Sequence, residues 1–115
     1  MRRGEVRLVD FDPVRGSEAN KRRPTVIVSN DGANATAVRL GRGVVTVVPV
    51  TSNIENVRRF QVPLPAASTG LPRDSKAQAE QVRAVAVDRL SGRVGVLPEM
   101  LIRELDDALR LHLAL

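Results

Sequence analysis

Apolar residues along the chain fall into short runs with strand-type spacing, separated by segments rich in Gly, Pro, Asn and Asp. Valine dominates several runs, and β-branched residues favour strands because they pack well on a pleated surface. Alternation of apolar and polar residues is typical of a strand with one buried face, whereas a nearly continuous apolar run indicates burial on both faces. We predict five strands, which cover Glu5–Phe11, Pro24–Ser29, Gly43–Thr51, Arg59–Leu64 and Gln81–Asp88.

The spacing changes near the C-terminus, where apolar residues recur every three or four positions between charged ones. This pattern predicts an amphipathic helix from Pro98 to about Leu113. Proline suits the first helical turn, and the Glu99 carboxylate favours the positive end of the helix dipole. The apolar stripe of this helix comprises Leu97, Leu101, Leu105, Ala108, Leu109 and His112.

The segments between these elements carry turn and loop signals. We predict a long polar loop over residues 13–23 and a second loop over residues 65–80. Asn30-Asp31-Gly32 indicates a turn, which an alanine-rich connection follows. Asp88–Gly92 predicts a single helical turn that ends at its glycine.

Five strands followed by one helix predict a mainly β fold with a C-terminal helix, of the α+β class. The expected architecture is a small antiparallel sheet or barrel that curls on itself, and the helix packs either on this sheet or against a partner subunit. The length of 115 residues fits one domain, which we assign to residues 1–115. The sequence shows neither a signal peptide nor a membrane-spanning apolar stretch, so we expect a cytoplasmic protein with no membrane partner.

Positive charge is concentrated in the first four-fifths of the chain. Residues 1–96 contain sixteen Lys and Arg against nine Asp and Glu, a net charge of +7, whereas residues 97–115 carry a net charge of −2. This surplus predicts an anionic partner that binds the first part of the chain. Phe11 and Phe60 are the only aromatic residues, so we do not expect an aromatic platform on which bases stack.

Several classes of site lack the residues that they need. The chain has no cysteine, which excludes disulfides, thiolate zinc sites and cysteine nucleophiles. No His-Glu-x-x-His, no carboxylate pair at metal-ligand spacing and no glycine-rich phosphate loop is present, so we expect no metal and no cofactor. Asp106 and Asp107 are adjacent on the predicted helix and typical of a solvated face. The single histidine, His112, lies on the apolar stripe, where we expect a partly buried structural side chain.

A basic segment before the second strand is the first candidate for chemistry. Pro24 restricts the backbone of Arg23 to extended conformations, which determines where this side chain leaves the strand. A guanidinium held in this way suits a bidentate contact with phosphate. Lys21 and Arg22, which precede it, are also well explained as a solvated basic turn.

A second candidate follows the long valine-rich strand. Pro49 indicates a strand edge or a bulge, so we expect Thr51 to leave the regular ladder. Thr51-Ser52-Asn53 then offers two hydroxyls and an amide. By its local pattern alone, this tripeptide is an ordinary polar turn.

Short motifs follow one another along essentially the whole chain. They are Gly4-Glu5-Val6, Val9-Asp10-Phe11-Asp12-Pro13, Gly16-Ser17-Glu18, Arg23-Pro24-Thr25-Val26, Ser29-Asn30-Asp31, Pro49-Val50-Thr51-Ser52, Glu80-Gln81-Val82-Arg83, Asp88-Arg89-Leu90 and Val94-Gly95. In order and spacing, and with the terminal helix after them, these motifs resemble toxins of the MazF/PemK/Kid type.

The resemblance implies a homodimeric, SH3-like and CcdB-type barrel that cleaves single-stranded RNA without a metal. It also implies a cognate antitoxin, whose acidic, disordered tail would lie on the basic surface of the toxin. The catalytic residues of the family fall on Arg23, Thr51 and Glu18. The substrate-binding positions fall on Ser52, Asn53, Lys21, Glu80 and Gln81. Glu80 stands where one branch of the family has an aspartate base, so the carboxylate is kept on a longer side chain.

These residue types suit RNA cleavage because RNA carries its own nucleophile, the 2′-hydroxyl. Attack on the adjacent phosphorus yields a 2′,3′-cyclic phosphate and a 5′-hydroxyl, and the enzyme must align the attack and neutralise the developing charge. Two alternatives from other classes remain open. A CcdB-like gyrase inhibitor would share the fold, although this chain lacks the C-terminal tryptophan of those proteins, and a non-catalytic RNA-binding module would share the charge.

Overall fold

The structure is a computed structural model, and it describes residues 1–11 and 22–115. The predicted loop 13–23 lies outside these residues except for its last two positions. The strands are β1 (Glu5–Asp10), β2 (Arg22–Ile27), β3 (Val44–Thr51), β4 (Gln61–Leu64), β5 (Ser75–Gln78), β6 (Arg83–Ala86) and β7 (Leu90–Val96). The helices are α1 (Asp31–Leu40), α2 (Ala66–Thr69) and α3 (Glu99–Leu113), with single 3-10 turns at Ala79–Gln81 and Val87–Arg89.

All paired strands run antiparallel in one sheet of order β4-β5-β3-β2-β1-β7, and β6 pairs with β3 as well. The end strands of this order, β4 and β7, do not pair in the part of the chain that the structure describes. The sheet is therefore curled but open. The predicted α+β class, with a curled antiparallel sheet and a C-terminal helix, is confirmed, while closure into a barrel is not observed.

The register of the sheet brings several strand ends to the same edge. β1 ends where β2 begins, because Val9 is paired with Arg23. β2 pairs with β3 through Thr25 and Pro49, and the end of β3 pairs with the start of β5. Antiparallel pairing thus gathers the ends of β1 and β3 with the beginnings of β2 and β5.

The sheet is buried on both faces. Val26 and Val48 pack in a cluster with Leu101 and Leu105 of α3. Their neighbours along the strands pack in a second cluster beneath Ala37 of α1. Since successive strand residues point to opposite faces, α1 and α3 cover opposite sides of the sheet. This second cluster consists of Val9, Ile27, Ala37, Val45, Val47 and Val85.

The predicted C-terminal helix is confirmed. Its apolar stripe packs on the sheet, which is one of the two predicted alternatives, the other being a partner subunit. Leu101, Leu105 and Ala108 are buried. His112 is exposed, so the prediction of a partly buried histidine is wrong. The physical reason is that the last turn of α3 extends past the sheet. No helix in the described ranges 1–11 and 22–115 is long and apolar enough to cross a membrane.

Helix α1 replaces the predicted turn and alanine-rich connection. Asn30 is its N-cap, and the Asn30 side chain accepts a hydrogen bond of 2.8 Å from the Ala33 N–H. Gly41 ends the helix with a φ of 65°, a conformation that glycine adopts without strain. Buried Asn34 ties α1 to the sheet through Ser29. Both cap residues are visible in the sequence, but the same residues also favour turns, and the tertiary contact decides for a helix.

Two further predictions differ from the structure. The segment 65–80 contains α2 and β5, and the polar sequence of β5 forms a strand because β3 and β4 pair with it on both sides. The turn predicted at Asp88–Gly92 is limited to Val87–Arg89, and β7 continues through Gly92. Pairing with β1 holds this strand despite its two glycines.

Thr51 remains in the ladder, contrary to expectation. It is the last residue of β3 and is paired with Lys76. One edge of β3 pairs with β6 as far as Val47 and with β5 from Val50 onward. Pro49 falls in the gap between these two partners, where its missing N–H breaks no ladder hydrogen bond on this edge.

Candidate active site

A cleft of about 250 Å³ opens at the edge where the strand ends meet. Its walls come from the start of β2, the end of β3 and the segment that leads into β5. Three of the predicted site residues, Arg23, Thr51 and Ser52, lie together here. The full lining is Arg22, Arg23, Pro24, Val50, Thr51, Ser52, Leu71, Pro72, Arg73 and Ser75.

Arg23 enters the cleft from the second position of β2. Its backbone is extended and paired with Val9, and Pro24 keeps it so. Thr25 pairs with Pro49, two residues from Arg23 and from Thr51, and both of these side chains line the cleft. The guanidinium is exposed and makes no hydrogen bond or ion pair within residues 1–11 and 22–115. It is therefore available to an anion in the cleft.

The Thr51 hydroxyl is oriented by the turn that follows it. Its Oγ1 accepts a hydrogen bond of 3.2 Å from the Asn53 N–H. A hydroxyl has one donor hydrogen and two lone pairs, so the Thr51 O–H still has its proton to donate. The Asn53 Oδ1 accepts a 3.2 Å bond from the Glu55 N–H, which stabilises the turn. Asn53 itself lies beside the cleft rather than in its lining.

Glu80 and Gln81 lie away from this cleft. Lys76 pairs with Thr51, and Arg83 pairs with Val47, four residues earlier in β3. The 3-10 turn between them, which carries Glu80 and Gln81, is therefore displaced along β3 from Thr51. Glu80 Oε2 accepts a hydrogen bond of 2.8 Å from Gln61 Nε2, while Oε1 is buried without a partner among the described residues. The structure thus separates Glu80 and Gln81 from the Arg23–Thr51 pair.

Glu18 and Lys21, the other two predicted site residues, lie outside the described residues. Their predicted roles stay predictions.

Two further arginines of the cleft, Arg22 and Arg73, are not identifiable as site residues from the sequence. The local pattern of Arg22 is that of a solvated basic turn, and Arg73 lies in a segment predicted as loop. Arg22 lies two residues before Pro24, and Arg73 directly follows Pro72, but a nearby proline is a weak signal on its own. Only the pairing of β3 with both β2 and β5 brings Arg73 into the same cleft as Arg23.

The cleft is positively charged. Its described lining carries the guanidiniums of Arg22, Arg23 and Arg73 and no carboxylate. The hydroxyls of Thr51, Ser52 and Ser75 add neutral polar groups. Planar guanidiniums and hydroxyl donors are the groups that proteins use to bind phosphate. Among residues 1–11 and 22–115, no group of three or more His, Asp and Glu is placed to hold a metal ion.

The loop after Thr51 is held against β5 by a buried lysine. Lys76 is 7% exposed, and its Nζ donates a hydrogen bond of 3.0 Å to the Glu55 carbonyl. Farther along the loop, Gln61 Oε1 accepts from the Arg58 N–H at 3.0 Å. These two contacts restrain the middle of the segment 52–60, whose first residue, Ser52, lines the cleft.

The fold and the order of motifs are those of a known class of toxin. Residues 2–113 match the family model described as PemK-like, MazF-like toxin of type II toxin–antitoxin systems. The chain therefore belongs to this family, which confirms the resemblance seen in its motifs.

The similar proteins extend over the full chain. It is 62% identical over 115 residues to endoribonuclease MazF9 of Mycobacterium tuberculosis, covering 100% of this chain and 98% of the relative. It is 31% identical to endoribonuclease EndoA of Bacillus subtilis, covering 100% of this chain and 96% of that one. A solved mycobacterial endoribonuclease in complex with its cognate antitoxin shares the fold with a TM-score of 0.80 at 21% identity, covering 100% and 96% of the two chains.

Proposed function

We propose that this protein is the toxin of a toxin–antitoxin pair and cleaves single-stranded RNA at specific sequences without a metal ion. The products are a 2′,3′-cyclic phosphate and a 5′-hydroxyl, and the cleavage inhibits translation and growth. The observation that carries this proposal is that Arg23 and Thr51 line the same cationic cleft. Relatives named as endoribonucleases over the full chain length support it.

In this mechanism, arginines stabilise the charge that develops on phosphorus. Attack by the 2′-oxygen gives a phosphorane whose non-bridging oxygens carry more negative charge than those of the substrate. Arg23 is free to bind them, and Arg22 and Arg73 add positive charge from the two sides. A guanidinium stays protonated at every physiological pH, so its role is charge stabilisation rather than conventional acid catalysis.

Thr51 orients the reacting group. Asn53 N–H occupies one lone pair of the Thr51 hydroxyl, which leaves the hydroxyl proton for a group bound in the cleft. It donates either to a non-bridging phosphate oxygen or to the attacking 2′-oxygen. Ser52 is the adjacent hydroxyl donor in the lining. Alignment of the 2′-oxygen with phosphorus accounts for part of the acceleration.

We assign the general base or a positioning role to Glu18, on its family position alone. The substrate-binding roles of Lys21, Asn53, Glu80 and Gln81 are proposed on the same basis. Of these, Asn53 has structural support, because it shapes the turn that presents Thr51.

The remaining proposals concern the molecule and its partners. We propose one domain over residues 1–115, two copies of which form a homodimer in the cytoplasm, where RNA is available. Exposed apolar side chains at the end of α3 and the start of β3, such as Val44 and Leu113, support an interface between copies. A cognate antitoxin with an acidic, disordered tail fits the cationic cleft and would compete there with RNA.

The first test is cleavage of a long unstructured RNA in the presence of EDTA, followed by analysis of the end groups. We expect wild-type cleavage with cyclic phosphate and 5′-hydroxyl ends. Arg23→Ala should lose at least ~10²-fold in rate, the typical loss on removal of a donor aimed at developing charge. Arg39→Ala removes an exposed arginine of α1, outside the cleft, and serves as the matched control.

Circular dichroism establishes that each variant is folded. Wild-type rates in folded Arg23→Ala protein would refute the assigned role of Arg23. Binding without cleavage by the wild-type protein would identify a non-catalytic RNA-binding module, and inhibition of gyrase would identify a CcdB-like protein.

A further inference from the structure

A second polar pocket lies next to the cleft that contains Arg23 and Thr51, and the two share Arg22 in their linings. This pocket of about 370 Å³ is lined by Asp10, Arg22, Asp88, Arg89, Leu90 and Ser91. Arg22 also lines the cleft that contains Arg23 and Thr51. The shared Arg22 makes the two pockets neighbours, so we expect a single strand whose scissile phosphate occupies the cleft to place an adjacent nucleotide at this pocket.

The second pocket differs chemically from the cleft. The cleft presents guanidiniums and hydroxyls, whereas this pocket presents the exposed carboxylate of Asp88 beside guanidiniums. Carboxylates repel a phosphate group, so the pocket is unsuited to the backbone. The edge of a nucleobase, by contrast, carries hydrogen-bond donors and acceptors side by side and matches such a mixture.

The groups in the pocket are placed by backbone pairing. Val9 is paired with Leu90, so β7 begins beside the end of β1, and the turn Val87–Arg89 stands over this junction. Arg22 Nη1 contacts Ser91 Oγ at 3.5 Å, and Arg89 Nη1 contacts the Phe11 carbonyl at 3.5 Å. Asp88 is exposed on the same turn and no hydrogen bond or ion pair with other described residues engages it.

Stacking on an aromatic ring is restricted at this pocket. Phe11 is the nearby aromatic residue, and the Arg83 guanidinium lies 4.7 Å from its ring centroid. That face of the ring is therefore covered. What remains for a base is its hydrogen-bonding edge, read by the carboxylate of Asp88 and the guanidiniums of Arg22 and Arg89.

We propose that this pocket is a specificity subsite for guanine or cytosine in the nucleotide next to the cleaved phosphate. Both bases carry an exocyclic amine, which donates to a carboxylate, and a carbonyl oxygen, which accepts from a guanidinium. Adenine lacks the carbonyl oxygen and uracil lacks the amine. The subsite rests on the proposed function in that it takes RNA as its ligand.

The test measures binding of RNA that cannot be cleaved. The ligands are 2′-O-methylated nonamers, which lack the attacking hydroxyl: uridine throughout, or uridine with one central cytidine, guanosine or adenosine. We expect the wild-type protein to bind the cytidine or the guanosine nonamer about tenfold more tightly than the uridine and adenosine nonamers, the discrimination typical of one good base-edge contact.

Asp88→Asn and Asp107→Asn form the matched pair of variants. Each removes one exposed aspartate charge, but Asp107 lies on α3, outside the pocket. Loss of a negative charge strengthens binding of all nonamers alike. The measured quantity is therefore the affinity for the cytidine or guanosine nonamer divided by the affinity for the uridine nonamer. We expect Asp88→Asn to reduce this ratio to near one and Asp107→Asn to leave it unchanged.

Equal binding of all four nonamers by the wild-type protein, or an unchanged ratio in Asp88→Asn, would overturn the subsite. This result is separable from a failure of the proposed function. Absence of RNA cleavage in EDTA would refute the ribonuclease, whereas the binding ratio is measured without any cleavage.

Discussion

Thr51 combines two roles in one hydroxyl, because Oγ1 accepts from Asn53 N–H and keeps a proton to donate. The two roles can be separated by substitution. Serine preserves both the acceptor and the proton, whereas valine keeps the shape of the side chain and removes both.

We expect Thr51→Val to lower the single-turnover rate of RNA cleavage by ~10²-fold, as for other lost donors at developing charge. Thr51→Ser should stay within a few-fold of wild type. Both rates are measured at saturating RNA, and thermal melts check that the variants are folded. Equal activity of the valine and serine variants would show that the hydroxyl takes no part.

Arg23 and Thr51 were predicted as site residues from family motifs, with local support for Arg23 from the proline that follows it. Arg22 and Arg73 could not be assigned, since nothing local distinguishes them from solvated arginines. Their role depends on which strands lie side by side, and strand pairing is a non-local property.

At the scale of elements, the segment 52–60 depends on β5 for its position. Lys76 is paired with Thr51 along the backbone, and its side chain reaches the Glu55 carbonyl at 3.0 Å. A buried ammonium that donates to a loop carbonyl restrains the loop while its aliphatic part packs in the interior. Lys76 is thus a positioning residue for the wall of the cleft.

We expect Lys76→Met to increase hydrogen exchange in the segment 52–60 and to lower kcat/KM for RNA by about tenfold. Methionine keeps most of the packing, and water can satisfy the exposed Glu55 carbonyl, so the free energy of unfolding should fall by only ~1 kcal/mol. Lys76→Arg retains a donor and should recover part of the activity. Unchanged exchange in this segment would contradict the positioning role.

The elements predicted correctly are those whose own residues specify them. The β-branched residues of β3 favour a strand, and the three- and four-residue spacing of the apolar stripe of α3 favours a helix. β5, with the sequence Ser-Lys-Ala-Gln, has no such pattern and becomes a strand because β3 and β4 pair with it. Helix α1 depends in the same way on the buried contact between Asn34 and Ser29.

At the scale of the whole molecule, β7 passes very close to the end of α2. A Cβ at Gly95 would stand 1.9 Å from the Thr69 carbonyl oxygen, and one at Gly70 would stand 2.6 Å from the Val94 carbonyl oxygen. Both obstacles are backbone atoms, which cannot turn aside as a side chain can. These two glycines allow β7 and the α2 segment, far apart in sequence, to meet.

We expect Gly95→Ala to destabilise the protein by at least ~2 kcal/mol, since relief of the clash requires a backbone shift. Gly92→Ala is the matched control in the same strand, because a Cβ at Gly92 meets no atom within 4 Å. Urea denaturation gives the free energy of unfolding for both variants. A Gly95→Ala protein as stable as Gly92→Ala would show that the two segments do not approach so closely.

The sequence by itself determined the strand-forming valine runs, the C-terminal helix, the uneven charge and the motifs that carry Arg23 and Thr51. These are local properties, set by side-chain shape, periodicity and charge. Only the tertiary structure decided that Arg22 and Arg73 join the cleft, that Glu80 lies apart from it, and that Asp88 and Arg89 form a second pocket beside Arg22. The reason is the register between strands, because a cross-strand neighbour depends on pairing across the whole sheet and has no counterpart in the local pattern.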